Sequence, residues 1–295
     1  MKPIILDGKK TAQTILENLK KEIDNNKQTL DKIPGLAVIL VGNNPASQAY
    51  VEMKKKRCKD VGIDSFSYDL PKEYGEKKLL ELIQELNENP KVNGILVQLP
   101  LPPDYDKNKV INAIDPKKDV DCFHPINVGK LLLGQPGLKP CTPQGIYELL
   151  KHYNIPVQGK HIVIVGRSNI VGKPLAAIFV QKEEHANATV TICHSKSENL
   201  KKITITADIL IAATGKPKTI TTDMVKDNAT IIDVGSNRIT DPTTPRGYRF
   251  IGDTNLKKVS KKIKAYTPSP GGVGPMTIAM LIKNTYEAFI NQQQK

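Results

Sequence analysis

The sequence has no tryptophan, and aromatic residues make up only 5% of it. Its four cysteines lie far apart and form no CxxC pair. That spacing argues against a disulfide-stapled secreted domain and against a structural zinc site. No apolar run approaches the roughly 20 residues of a membrane span, and the start, MKPIILDGKK, has no secretory apolar segment. We therefore expect a soluble cytoplasmic protein that binds neither a metal nor a membrane.

The length and the hydrophobic content of the chain are sufficient for a substantial hydrophobic core. The chain has 295 residues, 39% of them hydrophobic and 25% charged, and this length suits one large domain or two ordinary ones. Lysine and arginine exceed aspartate and glutamate by 43 to 30, a net charge of +13. Such an excess fits nucleic acid, an anionic membrane or small anionic ligands. A nucleic-acid surface would interleave lysines with stacking aromatics, and the low aromatic content argues against that alternative.

Hydrophobic periodicity predicts alternating strands and helices. In the first half the pattern predicts helices at 9–26, 45–61 and 76–88 and strands at 36–41, 63–69 and 94–99. In the second half it predicts strands at 161–166, 189–193, 209–214 and 230–235 and helices at 173–183 and 276–291. This alternation is typical of parallel sheets with right-handed crossovers. The Pro- and Gly-containing stretch 134–143 separates the two sets, so two α/β domains are expected. Periodicity alone does not decide where the last helix packs.

A glycine-bounded turn follows the strand at 161–166. Gly166 would allow a tight turn and Gly172 close packing of the next helix, so that backbone amides face an anion such as a pyrophosphate. Ser168 stands where the GxGxxG pattern has its middle glycine. An ordinary strand-to-helix turn therefore remains the alternative.

The end of the next strand indicates which dinucleotide would bind. An NAD site usually has an acid there to bind the ribose 2′-hydroxyl, but residues 193–196 read CHSK. Ser195 and Arg167 could instead bind a 2′-phosphate through charge-assisted hydrogen bonds. This interpretation favours NADP, and the alternative is a solvated basic loop.

A second group of polar residues follows strand ends in the first half. Tyr50 and Lys54 lie one turn apart on the predicted helix 45–61, and Gln98 lies at the end of the strand at 94–99. A phenol, an amine and an amide around one crevice would form a catalytic site, with burial lowering the pKa of the lysine. The alternative is that the run from Lys54 to Arg57 is a solvated charged face.

Aspartates cluster in the segment DPKKDVDCFHP. Asp115 and Asp119 are expected to cap or turn the loop, and the spacing lacks the glycine and terminal glutamate of a calcium loop. A single buried carboxylate at Asp121 would suit an amino-pyrimidinone edge, which presents adjacent N–H donors. The turn PGGVGP at 270–275 would let backbone approach a ligand closely, or would only make a tight connection.

Seven segments together resemble one family, the bifunctional methylenetetrahydrofolate dehydrogenase/methenyltetrahydrofolate cyclohydrolase or FolD family. They follow the family's order across nearly the whole chain: VGNNPASQAYVEMKKK (41–56), GILVQLPLP (94–102), DPKKDVDCFHPINVGKL (115–131), PCTPQGI (140–146), GRSNIVGKPLA (166–176), DVGSNR (233–238) and PGGVGPMT (270–277).

The resemblance implies an α/β fold of two domains with a cleft between them. It implies an N-terminal folate-binding domain over 1–139, a Rossmann-like NADP-binding domain over 140–274, and a last helix, 275–295, that packs back on the first domain. Family members are usually homodimers built through the cofactor domain. Their substrates are tetrahydrofolate derivatives, so neither a nucleic-acid nor a membrane partner is expected. The anionic NADP and folate would account for the positive charge.

The resemblance also assigns roles to residues. The implied catalytic residues are Lys54, Tyr50, Gln98 and Asp121, and the implied cofactor-binding residues are Gly166, Arg167, Ser168, Ser195 and Ser236. The implied folate-binding residues add Val97, Leu99, Pro270, Gly271, Gly272, Val273 and Gly274. The implied reactions are oxidation of 5,10-methylenetetrahydrofolate with NADP and hydrolysis of the methenyl product to 10-formyltetrahydrofolate. A family member with dehydrogenase activity alone is an alternative, against which Lys54 and Gln98 argue.

The sequence departs from the family at Cys122, where members commonly have glycine after the aspartate. If that position needs a positive φ, a cysteine there is strained. Ser236 stands where other members carry an apolar residue.

Overall fold

The computed structural model describes residues 2–30, 32–244 and 247–293, without the side chains of Gln28, Thr29 and Ala46. Its strands are β1 (Ile4–Ile5), β2 (Gly35–Val41), β3 (Asp64–Leu70), β4 (Gly94–Val97), β5 (His161–Val165), β6 (Thr189–Cys193), β7 (Ile209–Ala212), β8 (Thr230–Asp233), β9 (Asn237–Thr240), β10 (Tyr248–Ile251) and β11 (Ala265–Tyr266). Its α-helices are α1 (Gly8–Leu30), α2 (Pro45–Val61), α3 (Glu76–Glu88), α4 (Lys107–Ala113), α5 (Pro125–Leu132), α6 (Cys141–His152), α7 (Gly172–Phe179), α8 (Leu200–Thr204), α9 (Leu256–Val259) and α10 (Val273–Gln293).

The chain divides into two compact units, each made of two segments. We call the unit formed by Met1–Ala12 and Thr142–Thr277 the dinucleotide unit, and the unit formed by Gln13–Cys141 and Ile278–Lys295 the lysine unit. Both contain parallel sheets and helices, so the predicted two-domain α/β class is confirmed.

The lysine unit is built around a three-stranded parallel sheet in the order β3-β2-β4. All seven residues of β2 are buried, which is why its sequence is a continuous apolar run rather than an alternating one. The buried residues of α3 are Leu79, Ile83 and Leu86, which share one helical face and pack against the sheet. Because β2 and β4 pair in parallel, their carboxyl ends lie side by side at one edge of the sheet.

The dinucleotide unit contains a six-stranded parallel sheet in the order β1-β11-β8-β7-β5-β6. Strands β7 and β8 are buried along their whole length. Strands β9 and β10 form a separate antiparallel pair. Because the sheet is parallel, the loops that follow β5, β6, β7 and β8 all leave from the same edge.

Several elements differ from the predicted ones. The helix predicted at 173–183 ends at Phe179, and the strand predicted at 94–99 ends at Val97, so Gln98 follows the strand. Strand β1 pairs with β11, and residues up to Ala12 group with the dinucleotide unit. The domain bounds 1–139 and 140–274 stay a prediction. In the lysine unit, Asn284 of α10 donates to the carbonyls of Val120 and Lys139.

None of the helices, as far as the described residues go, combines the length and apolar character needed to cross a membrane.

Candidate active site

Helix α2 presents Lys54 on its buried face. The helix begins at Pro45, the position that the sequence predicted, because Asn44 accepts the backbone N–H of Ser47 through Oδ1 over 3.2 Å and proline suits the first helical position. Val51, Lys54 and Cys58 are all buried, at the spacing of one helical face. Lys54 is 8% exposed, so the alternative of a solvated lysine is wrong for this residue.

The Lys54 ammonium meets Gln98 at the carboxyl end of β4. Its Nζ donates to Gln98 Oε1 over 2.9 Å, and Gln98 Nε2 donates to the Leu99 carbonyl over 2.7 Å. The second bond fixes which end of the amide faces the lysine. The Gln98 backbone N–H donates to the Ile39 carbonyl over 2.8 Å, which anchors the residue against β2. The predicted pairing of this lysine with this glutamine is thus present in the structure.

Burial lowers the pKa of Lys54, and the nearby Asp121, Cys141 and Cys58 oppose this effect. Burial likewise raises the pKa of the Asp121 carboxyl, and Lys54 opposes that shift. Each charged form is therefore destabilised by loss of water and partly compensated by the other. An amine whose pKa has fallen has a larger neutral fraction at a given pH, which a proton acceptor requires.

The loop that contains Asp121 is held by its neighbour Asp119. The Asp119 carboxylate accepts N–H groups from His124 over 2.8 Å, Phe123 over 3.3 Å and the Asn127 side chain over 2.9 Å. Asp119 is 2% exposed, and burial raises its pKa while these hydrogen bonds lower it. Asp119 thus has the structural role that the sequence indicated, and Asp115 caps the same loop by accepting the Lys117 N–H over 2.8 Å.

Cys122 occupies the left-handed region that the family's glycine would favour. Its φ is +59° and its side chain is fully buried, so the strain expected for a positive φ applies to this chain. The thiol donates to the Asp119 carbonyl over 3.5 Å. The departure from the family pattern is therefore accommodated within the turn between Asp119 and His124.

Other residues predicted in the folate site are found nearby in the fold. Tyr50 is half-buried one turn before Lys54 on α2, Val97 is the buried last residue of β4, and Leu99 is half-buried. Motif reasoning gave no role to Cys58 and Cys141, which are buried and interact electrostatically with Lys54. The spacing of Cys58, four residues after Lys54 on α2, was an available signal for one of them.

The turn at Pro270–Gly274 belongs to the dinucleotide unit and needs its glycines. Gly271 has a φ of +104°. A Cβ on Gly272 would come within 2.5 Å of the Pro268 carbonyl oxygen, and a Cβ on Gly8 within 1.8 Å of the Gly272 oxygen. The backbone segments are thus in contact, which supports the tight-connection alternative. The expectation that this turn and Val273 line a folate site stays a prediction.

The glycine turn after β5 has the form expected of a dinucleotide site. Gly166 has a φ of +145°, and a Cβ there would lie 2.2 Å from the Ala213 carbonyl oxygen. A Cβ on Gly172 would lie 2.0 Å from the Gly166 oxygen. The chain therefore folds back on itself at the start of α7. Within this turn, Ser168 Oγ accepts the backbone N–H groups of Val171 over 3.1 Å and of Gly172, the first residue of α7, over 3.4 Å.

Arg167 and Ser195 leave the sheet from adjacent strands. Val165 of β5 is paired with Cys193 of β6, and Arg167 and Ser195 each come two residues later, both exposed. This register brings a guanidinium and a hydroxyl to one edge with no carboxylate at 194–197. Ser236 is also exposed, in the loop after β8. This set suits an anionic ligand.

Models of one family match both halves of the chain. The catalytic domain of tetrahydrofolate dehydrogenase/cyclohydrolase matches residues 6–121, and the NAD(P)-binding domain of the same family matches residues 140–293. Among curated proteins, the bifunctional protein FolD of Pelodictyon phaeoclathratiforme is 53% identical over 97% of this chain and 98% of its own length. The bifunctional protein FolD of Chlamydia abortus is 51% identical over the same shares.

Solved structures give the same result. The bifunctional FolD methylenetetrahydrofolate dehydrogenase/cyclohydrolase of Campylobacter jejuni matches with a TM-score of 0.91 and 46% identity, covering 98% of this chain and 99% of that one. The methylenetetrahydrofolate dehydrogenase-cyclohydrolase of Trypanosoma brucei, solved with NADP and an inhibitor, matches with a TM-score of 0.95 and 35% identity over the full length of both chains. The chain therefore belongs to the tetrahydrofolate dehydrogenase/cyclohydrolase family.

Proposed function

We infer that the protein catalyses two successive reactions of one-carbon metabolism. It oxidises 5,10-methylenetetrahydrofolate to 5,10-methenyltetrahydrofolate with NADP, and it hydrolyses that product to 10-formyltetrahydrofolate. The observation that carries the second activity is the hydrogen bond from the buried Lys54 to Gln98. Relatives about 50% identical to this chain are named as bifunctional. A dehydrogenase without hydrolase activity would have no need of a buried amine with a lowered pKa.

NADP supplies the hydride acceptor when it is bound. In our proposal Gly166 and Ser168 form the turn that receives its phosphates, and Arg167 and Ser195 hold the 2′-phosphate with charge-assisted hydrogen bonds. The absence of an acid after β6 and the NADP in the Trypanosoma brucei relative both support this choice. Ser236 would contribute from the loop after β8.

Oxidation of the methylene bridge requires no proton from a side chain. A folate nitrogen lone pair assists the loss of hydride from the bridge carbon and leaves a methenyl cation. The contribution of the protein is therefore to orient the folate. We propose that Asp121 does so by accepting hydrogen bonds from the amino-pyrimidinone edge, with Tyr50, Val97 and Leu99 as further contacts.

Hydrolysis of the methenyl cation, in contrast, requires protons to move. Water attacks the methenyl carbon and loses a proton, which leaves a hydroxyl on that carbon. The bond from the carbon to N5 then breaks as N5 gains a proton, and the hydroxyl releases its own proton to solvent as it becomes the formyl carbonyl. Neutral Lys54 accepts the first proton, and its ammonium form returns one to N5, as a general acid–base group. Gln98 keeps the amine in position through its Oε1 and adds no charge that would raise the pKa of the lysine.

A homodimer formed through the NADP-binding domain and a cytoplasmic location are also proposed, from the family resemblance. Sedimentation of the purified protein tests the first, and fractionation of cells tests the second.

A spectroscopic assay tests both activities together. The purified protein is mixed with methylenetetrahydrofolate and either NADP or NAD, and the absorbances of the methenyl compound and the reduced cofactor are followed. We expect reduced cofactor to form faster with NADP and the methenyl compound to remain transient. Stable accumulation of the methenyl compound would instead identify a dehydrogenase without hydrolase activity.

A further inference from the structure

Two buried aspartates join the loops at the carboxyl edge of the dinucleotide unit. Asp233 is the last residue of β8 and is 2% exposed, and Asp253 follows β10 and is fully buried. In the described residues neither carboxylate has a lysine, arginine or histidine as an ion-pair partner. What compensates their charges is a set of N–H donors from the surrounding loops.

The Asp233 carboxylate holds the loop after β8 and the segment after β10. Its Oδ1 accepts the backbone N–H groups of Gly235 and Asp253, each over 2.9 Å, and its Oδ2 accepts that of Thr254 over 2.8 Å. Burial raises the pKa of Asp233, and these hydrogen bonds lower it. A carboxylate that accepts several backbone N–H groups remains stable in its charged form.

The Asp253 carboxylate reaches the loop after β7 as well. Its Oδ2 accepts the backbone N–H groups of Thr214 over 2.6 Å and Gly215 over 2.9 Å, and its Oδ1 accepts the Asn237 side-chain amide over 2.8 Å. Asp253 thus connects the loops that follow two neighbouring strands of the sheet, β7 and β8.

The backbone approaches these carboxylates so closely that only glycine fits at two positions. A Cβ on Gly235 would lie 2.2 Å from Asp253 Oδ1, and a Cβ on Gly252 would lie 2.1 Å from Asp233 Oδ2. Neither glycine has a positive φ in the left-handed region, so the backbone conformation does not by itself require glycine at these positions. The two glycines are instead explained by the position of the carboxylates.

These loops flank the residues proposed to bind the cofactor. Ser236 lies between two residues that donate to these carboxylates: the Gly235 backbone N–H donates to Asp233, and the Asn237 side-chain amide donates to Asp253. Directly before Thr214 is Ala213, whose carbonyl oxygen contacts the Gly166 turn. Any shift of the two aspartates would therefore move both Ser236 and the backbone against which the Gly166 turn is packed.

We propose that Asp233 and Asp253 are positioning residues for NADP, which set the loops at 213–215 and 235–237 in the geometry that binds the cofactor. The proposal rests on the proposed function, because it takes this edge as the NADP site. Both residues must carry a charged carboxylate for this role, because an asparagine of the same shape would offer only one accepting oxygen for three N–H donors.

The protein's two activities provide the test. In Asp253→Asn we expect the Michaelis constant for NADP to rise about tenfold to a hundredfold, with little change in the Michaelis constant for methylenetetrahydrofolate. Hydrolysis of methenyltetrahydrofolate without NADP should continue at the parent rate, because Lys54 and Gln98 belong to the other unit. The matched control is Asp223→Asn, an exposed aspartate of the same unit, which should leave all three quantities unchanged.

Two results would overturn the proposal. One is an unchanged Michaelis constant for NADP in Asp253→Asn, and the other is an equal loss of dehydrogenase and hydrolase activities, which indicates general damage to the fold. If Asp253→Asn does not fold, Asn237→Ala decides, because it removes one donor but keeps the buried carboxylate. That variant should raise the constant for NADP several-fold. A parent protein without NADP-dependent activity would instead contradict the proposed function itself.

Discussion

Lys54 Nζ donates to Gln98 Oε1 over 2.9 Å, and this hydrogen bond joins the middle of a helix to the end of a strand. The other end of the Gln98 amide, Nε2, is bonded to the Leu99 carbonyl. A flip of the amide would break this bond, so Gln98 presents its oxygen to the amine. The lysine is therefore held in a fixed position while it remains free to gain or lose a proton.

Lys54→Met should separate the two activities. Methionine keeps much of the apolar stem but removes the amine, so hydrolysis of methenyltetrahydrofolate should fall by about a hundredfold to ten-thousandfold, the usual contribution of a general acid–base group. Part of the dehydrogenase activity should remain, and the methenyl absorbance should accumulate. Lys55→Met is the control, because Lys55 pairs with Glu52 and Asp69 at the surface. Hydrolysis at the parent rate in Lys54→Met would contradict the proton-transfer role.

Gln98→Glu should move the pH profile of hydrolysis upward. Burial lowers the pKa of Lys54, and a carboxylate within hydrogen-bond distance stabilises the ammonium and raises that pKa again, by roughly 1–3 units. Since the neutral amine accepts the proton, the rise of the hydrolysis rate with pH should shift to higher pH by a similar amount. Rates measured across pH 5 to about 10 check this. Gln98→Met, which adds no charge, should lower the rate without this upward shift, and equal profiles for both variants would refute the explanation.

Arg167→Ala should weaken the binding of NADP but not that of NAD. The loss of a charge-assisted hydrogen bond to the 2′-phosphate costs roughly 1.5–3 kcal/mol, or about tenfold to a hundredfold in affinity. Titration of each cofactor, followed by calorimetry, measures the two effects separately. The control is Arg249→Ala, which removes an exposed arginine of the same unit that pairs with Asp241. Equal losses for both cofactors would show that Arg167 does not read the 2′-phosphate.

Replacement of Cys122 should reveal the strain of its positive φ. We expect Cys122→Gly to unfold with a free energy roughly 1 kcal/mol higher than Cys122→Ala, because alanine keeps the Cβ that the left-handed region disfavours. Urea unfolding compares the two variants. The same pair at Cys58, which is buried within α2, should show the opposite order, since glycine is about 1 kcal/mol worse than alanine in a helix. If alanine is the more stable residue at both positions, the strain is negligible.

The bounds of α2 could be predicted from the sequence because local chemistry determines them. Asn44 supplies a cap and Pro45 the first helical residue, and both act on their immediate neighbours. The burial of Lys54 could not be predicted in the same way. The run from Lys54 to Arg57 has the composition of a solvated face. Only the interactions of Lys54 with Gln98 and Asp121, which lie far away in the sequence, select the first of these lysines for the interior.

Hydrophobic periodicity did not predict the strands that form by pairing with distant parts of the chain. Strands β1 and β11 contain two residues each, which is too short to show an alternation. Strands β9 and β10 have partly exposed, mixed compositions, and each is stabilised by the other rather than by its own pattern. Asp253 was missed for a related reason: its donors come from residues 214, 215 and 237, so no local motif identifies it.

The pairing of β1 with β11 has a consequence for biosynthesis. Ile4 of β1 is the register partner of Ala265 in β11. In the lysine unit, the Asn284 side chain of α10 donates a hydrogen bond to the carbonyl of Val120. On the ribosome, the earlier segment of each unit must therefore wait for a segment that is made more than 100 residues later. Such contacts between distant parts of a chain slow folding and leave apolar surface exposed in the meantime. Each unit is completed only after most of this sequence has been made, so the nascent protein would depend on chaperones for longer than its two-unit architecture suggests.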